Sequence, residues 1–360
     1  MPRPSRVVSV LVATTIFAAC SGTSHPAADP APVSSTSAAP STTTTLPPAS
    51  KPLAARAAAY PFTIESGGRT RDYRLHVPPA AATGKPLPLV LNLHGATQNA
   101  TLQEAQSGMD ASSDRDGYLV AYPNGTRFAK DLTPDPIAGD AQYGFDAGAC
   151  CGDPSAQHVD DVDFLRAVIS DVAAHTPVDR RRVYVTGMSN GGMMAYAMAA
   201  GAATDIAAIA SVAGQVEQPA IHPARPVPTL EFHSVDDPIA KWEGVPNPDP
   251  KQQFSVMQGV TQWVKADGCA DTPHSDAPII GSGASAGLTA TLVTYRGCRA
   301  NTEVALWRLT GSGHVWPGAP FNTGPRSTWI LDGVGRGTKL VDANEVMWRF
   351  FRRFALPAAP

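Results

Sequence analysis

Val183-Tyr184-Val185-Thr186-Gly187-Met188-Ser189-Asn190-Gly191-Gly192-Met193-Met194-Ala195-Tyr196-Ala197-Met198-Ala199-Ala200 is the stretch whose reading decides the fold. A β-branched apolar run stops at a G-x-S-x-G turn and gives way to small and long-chain helix formers. It reads as strand, sharp turn, helix. Glycines flank the turn because strand and helix approach too closely there for a Cβ, while the serine between them is pushed into the open. A Gly-rich turn with an incidental serine is the bland alternative. The residues downstream favour a nucleophile.

Pro228-Thr229-Leu230-Glu231-Phe232-His233-Ser234-Val235-Asp236-Asp237-Pro238 reads as a strand ending in two adjacent acids. A further strand, Val304 to Thr310, runs into Gly311-Ser312-Gly313-His314. Serine, then acid, then histidine is the order of the α/β-hydrolase fold. Serine is weakly nucleophilic until an imidazole accepts its proton, and a buried carboxylate holds that imidazole in the correct tautomer. Of nine histidines, His314 alone lies after both the turn and an acid-bearing strand end, in a glycine loop. His158, in a cysteine-containing loop, is the other candidate; His94 and His233 end strands, where holding adjacent loops is their expected work. Position among the residues leaves Asp236 and Asp237 open. The buried strand Leu89 to Leu93 ends in His94-Gly95-Ala96, so an oxyanion hole is expected from the backbone N–H groups of Ala96 and Asn190.

The first twenty residues lie outside the fold. Arg3 and Arg6 precede an apolar run from Val7 to Ala19, and Phe17-Ala18-Ala19-Cys20 reads as a lipoprotein signal ending in a lipidated Cys20, with plain cleavage and secretion as the alternative. Residues 21–59 are almost entirely Ala, Pro, Ser and Thr, too poor in apolar groups to pack. As a flexible coil this tether reaches ~35 Å. Residues 60–360 form one expected catalytic domain. A net charge of −3 and the absence of basic clusters exclude nucleic acid as a partner, and any membrane contact is expected only through the lipid.

With Cys20 lipidated, four cysteines remain in an exported chain. Cys269 and Cys298 are expected to bridge, contributing ~3–4 kcal/mol by loop entropy. Cys150 and Cys151 then form a vicinal ring or stay reduced. No C-x₂-C pair supports zinc, and Asp160-Asp161-Val162-Asp163 lacks the calcium-loop glycine, so Asp161 is read as a helix cap and neither metal nor cofactor is expected. Gly333 to Gly337 reads as a flexible loop. Phe145, Trp242 and Trp316 are either core or aromatic substrate contacts.

Strands are expected at Asp72 to Val77, Leu89 to Leu93, Tyr118 to Tyr122, Val183 to Thr186, Ala207 to Val212, Thr229 to His233 and Val304 to Thr310. Helices are expected around Thr101 to Arg115, Asp161 to His175, Gly192 to Gly201 and Phe254 to Ala266. This alternation predicts an α/β fold with a doubly wound, mostly parallel sheet. Met347, Phe350, Phe351 and Phe354 mark the buried face of a final helix.

Leu93-His94-Gly95, Cys150-Cys151-Gly152, Asp160-Asp161-Val162, Gly187-Met188-Ser189-Asn190-Gly191-Gly192 and Gly313-His314-Val315-Trp316-Pro317-Gly318 together resemble the secreted polyhydroxybutyrate depolymerase and feruloyl esterase family, in its actinobacterial lipoprotein branch. The resemblance spans the chain from Tyr60 onward. It implies a serine esterase acting on a hydroxyalkanoate, feruloyl or acetyl ester. It also selects the acid, because the family's His-Gly-x-x-Asp-Pro pattern falls on His233-Ser234-Val235-Asp236-Asp237-Pro238 and points to Asp237. The chain departs in Ser234 for glycine and in Ala96, where many depolymerases carry cysteine. An acyltransferase using the same acyl-enzyme is the runner-up function, and a non-catalytic surface lipoprotein the third.

Overall fold

The computed structural model describes residues 53–56, 58–129, 141–148, 150–245, 254–319 and 333–358. The signal, Cys20 and most of the tether lie outside these residues. Along the chain the strands are β1 (Tyr60–Ser66), β2 (Arg69–His76), β3 (Leu87–Leu93), β4 (Leu119–Pro123), β5 (Thr126–Arg127), β6 (Tyr143–Gly144), β7 (Val178–Met188), β8 (Ala208–Val212), β9 (Thr229–Ser234), β10 (His274–Ser275), β11 (Ile279–Ile280), β12 (Thr289–Tyr295) and β13 (Val304–Thr310). Apart from the β5-β6 ribbon they make one sheet, β1-β2-β4-β3-β7-β8-β9-β13-β12-β10, with β11 on β12. Its centre, from β4 to β13, is parallel; antiparallel strands flank it on both sides.

The helices α1 (Ala100–Ser107), α2 (Met109–Asp116), α3 (Asp153–Ala156), α4 (Asp161–His175), α5 (Asn190–Gly201) and α6 (Val256–Asp267) are joined by a C-terminal helix, Ala343–Phe351. Strand alternation sorts the core into two layers. Leu89, Leu91, Val183 and Val185 pack with α4, α5 and α6 through Phe164, Met194 and Trp263. Val90 and Tyr184 face the other way, onto Met109, Met347 and Phe351. The rings of Tyr184 and Phe351 stack at 4.7 Å. The doubly wound reading of the sequence is therefore what the chain adopts.

Two local expectations need correction. The single helix expected over Thr101 to Arg115 is broken at Gly108, whose φ of 59° closes α1 by donating to Glu104 O and starts α2. The cap of α4 is Asp160, which accepts from Asp163 N at 2.9 Å. Asp161, one residue on, is instead buried against Arg71 at 2.7 Å, and its second oxygen accepts from Asp146 N. Burial raises the Asp161 pKa, opposed by the Arg71 charge.

Removing one partner of a buried pair strands the other charge. Arg71→Met is expected to lower the unfolding free energy by about 3–5 kcal/mol in urea denaturation. A loss under about 1 kcal/mol would show that Asp161 tolerates burial alone.

Candidate active site

Met188 ends β7 and Asn190 begins α5, with Ser189 between them at φ 55° and ψ −121°. The two flanking glycines are required by space. A Cβ on Gly187 would lie 2.5 Å from Gly191 C, and one on Gly191 would lie 2.2 Å from Leu93 O. Ser189 N donates to Val212 O at 2.8 Å, and Met193 N to Ser189 O at 2.9 Å, so backbone bonds fix the turn from both sides. The Ser189 side chain is half-buried and caps no helix hydrogen bond.

Because β9 and β13 run parallel in register, with His233 beside Arg308 and Ser234 beside Leu309, the loops that follow them open at one edge of the sheet. Asp237 and His314 lie on those two loops, and Asp237 Oδ2 meets His314 Nδ1 at 2.7 Å. The other carboxylate oxygen, Oδ1, accepts from Ile239 N at 2.8 Å and Ala240 N at 2.9 Å. Asp236 turns away and accepts from Gly311 N at 2.7 Å, bracing the start of the histidine loop. Ser234, the departure from the family's glycine, donates its hydroxyl to Ser312 O at 2.5 Å and ties the two loops together.

The segment Gly333 to Gly337, expected as a free loop, grips the histidine. His314 N donates to Val334 O at 2.6 Å, and Gly313 N to Arg336 O at 2.8 Å. His158 is exposed on the loop after α3 and is not brought to Asp237.

The expected oxyanion loop follows β3. A Cβ on Gly95 would lie 3.4 Å from Ser189 Cβ, so this loop borders the serine. The N–H groups of Ala96 and Asn190 donate to no acceptor among the described residues. His94 holds the loop from beneath: Nδ1 donates to Gly95 O at 2.8 Å, and Nε2 accepts from Gly125 N at 3.0 Å. Burial pushes its pKa down to about 4, so it works as a neutral tautomer. Asn190 reaches across to Phe145, accepting from its N–H at 2.7 Å and donating to its carbonyl at 3.0 Å.

The aromatic expectations divide. Phe145 is fully buried with its ring 4.7 Å from that of His94, and Trp316 is buried with Nε1 donating to Asn344 Oδ1 at 3.0 Å. Both are covered within the core. Trp242 is half-buried and lines a cavity of about 450 Å³ with Asp236, Asp237, Lys241, Glu243 and Arg308. Cys269 and Cys298 are bonded, as are Cys150 and Cys151.

Two acids went unnoticed in the sequence. Glu231 lies two residues before His233 in β9, hence on the same face, and accepts from its Nδ1 at 2.9 Å and from Tyr196 OH at 3.0 Å. His233 Nε2 donates to Ala240 O at 2.7 Å and lies 3.8 Å from Asp237 Oδ2. Burial works against the His233 imidazolium, but the Glu231 hydrogen bond and charge outweigh it and raise its pKa. The Glu231–His233 pair thereby stands directly behind the acid. The signal for this pair was a charged residue inside an otherwise apolar strand. The second missed acid is Glu217, taken up below.

The profile of the family described as esterase PHB depolymerase matches residues 71–247. A protein named "Putative esterase NocK", from Nocardia uniformis subsp. tsuyamanensis, is 31% identical over 92% of this chain and 94% of its own length. Feruloyl esterase B of Piromyces equi is 27% identical over 66% of this chain, which spans 41% of that protein. Among solved structures, the acetyl xylan esterase from Aspergillus awamori aligns over 76% of this chain and 98% of its own, at a TM-score of 0.46 and 14% identity.

Proposed function

The chain belongs to the esterase PHB depolymerase family, and we propose that its carboxylic ester hydrolysis runs through an acyl-enzyme on Ser189, with His314 as base and Asp237 as the orienting acid. The observation that carries this reading is the 2.7 Å contact between Asp237 Oδ2 and His314 Nδ1, on loops that open at the same sheet edge as Ser189. With Nδ1–H donating to Asp237, Nε2 is the free acceptor for the serine proton. Ser189 Oγ attacks the ester carbon, and the oxyanion draws on the N–H groups of Ala96 and Asn190. His314 then returns the proton to the departing alcohol, and water repeats the cycle to release the acid.

Wild-type protein is expected to hydrolyse nitrophenyl acyl esters and to react with a fluorophosphonate probe. Product partition with added sugar acceptors separates hydrolysis from acyl transfer. Absence of both turnover and labelling would sink the reading. The candidate natural substrates are hydroxyalkanoate, feruloyl and acetyl esters, and a chain-length and acyl-group profile in the same assay ranks them.

The N-terminal pattern supports export with a lipid on Cys20. Among the described residues no helix is long and apolar enough to cross a membrane. The exported protein is expected to partition into detergent, and Cys20→Ser to shift it to the aqueous phase. An unmodified mature N-terminus by intact mass would remove the anchor and leave the enzyme untouched.

A further inference from the structure

The loop from Ala213 to Gln218 leaves the carboxyl end of β8, the edge where ligands bind in open α/β sheets. It starts beside the serine: Val212 O accepts from Ser189 N at 2.8 Å, and a Cβ on Gly214 would lie 2.7 Å from Met193 N. It then reaches both neighbouring loops. Gln215 Nε2 donates to Lys241 O at 2.6 Å, on the acid side, and Gln218 Nε2 donates to Ala147 O at 2.7 Å, two residues beyond the Asn190 clamp on Phe145. Glu217 lies between them against Gly148, where a Cβ would fall 3.0 Å from Glu217 O.

Glu217 is 3% exposed, yet neither carboxyl oxygen has a partner among the described residues. The carbonyl oxygens of Gln215 and Gln218 are buried and unpartnered too. Their amide nitrogens donate to Lys241 O and Ala147 O. Among the described residues no donor reaches these oxygens. An unpaired buried carboxyl group destabilises a fold, and its place on the loop that leaves β8 beside Ser189 points to a role in binding.

We propose that Glu217 is a specificity residue whose carboxyl group takes a hydroxyl of the bound ester, so that esters carrying a hydroxyl near the scissile bond are favoured. This rests on the ester-hydrolase reading above. A hydroxyl suits the site because it both donates and accepts. Burial lifts the Glu217 pKa to about 8, which keeps the carboxyl protonated at neutral pH and able to return a hydrogen bond.

The hydroxyl can sit on the acyl or on the alcohol side, and two substrate pairs distinguish these. Nitrophenyl 3-hydroxybutyrate is compared with nitrophenyl butyrate, and acetylated methyl xyloside with cyclohexyl acetate, each as a ratio of kcat/KM. Wild type is expected to prefer the hydroxylated member of one pair, and Glu217→Leu to reduce that preference about 10-fold or more. Glu217→Gln, which keeps one acceptor oxygen, should retain part of it.

A second readout concerns stability. The folded protein loses the Glu217 proton near pH 8 and the unfolded chain near 4.5, so the folded state binds the extra proton between these values and its stability falls as pH rises through them. Glu217→Gln is expected to flatten that slope in Tm. Unchanged preference in the Leu variant for both pairs would overturn the proposal. So would stabilisation of wild type, but not of the variants, by millimolar calcium, which would make the loop a cation site. Wild type inert toward every ester would instead sink the ester-hydrolase reading and this inference with it.

Discussion

Ser189→Ala is expected to lower kcat for nitrophenyl esters by about 10⁶ and to abolish fluorophosphonate labelling, with the Tm unchanged within a few degrees. The fold should survive because Ser189 is held by its backbone: N–H to Val212 O and C=O from Met193 N. A smaller side chain also relieves rather than adds crowding at a residue with φ of 55°. What the substitution removes is the atom that forms the acyl bond, so the loss is expected in kcat and not in substrate binding. Retention of more than a hundredth of the activity in a folded variant would move the nucleophile elsewhere.

The second large effect separates two neighbours. Asp237→Asn is expected to cut turnover by ~10⁴, and Asp236→Asn to change it by less than about tenfold. The reasoning follows from donors and acceptors. Asp237 Oδ1 accepts from Ile239 and Ala240 N–H groups, so an asparagine there must turn its oxygen to those amides and its NH₂ to His314. The imidazole Nδ1 then becomes an acceptor, its proton moves to Nε2, and the atom that should receive the serine proton is blocked. Among the described residues the Asp236 side chain bonds only the loop amide of Gly311, an interaction that an asparagine oxygen can still make. Steady-state kinetics on both variants, with circular dichroism to check folding, decide the matter; the reverse ranking would assign the acid to Asp236.

Much of the architecture was legible because its causes are local. Nearly continuous apolar runs in Leu89 to Leu93 and Val183 to Thr186 forecast strands buried on both faces, and the sheet has them at its centre. The break at Gly108 was hidden because the apolar pattern runs across it. The β1 hairpin strand went unrecognised, since one face of β1 stays exposed and its pattern is weak. Aromatic residues near the site were ambiguous for a related reason: hydrophobicity says that Phe145 and Trp316 will be covered, but not by what.

Residue order along the chain dictates the strand–turn–helix around Ser189, the glycines it needs and the succession of candidate acid and base. These follow from backbone sterics and side-chain period within a few residues. Folding alone settles which aspartate faces His314, that Glu231 and His233 stand behind it, and that Glu217 is left without a partner among the described residues. Those facts depend on the parallel register of β9 and β13 and on loops that meet across 77 residues of chain. A carboxyl group looks the same in sequence whether it meets an imidazole, a loop amide or no partner at all. Its chemistry is set by the donors that folding brings to it.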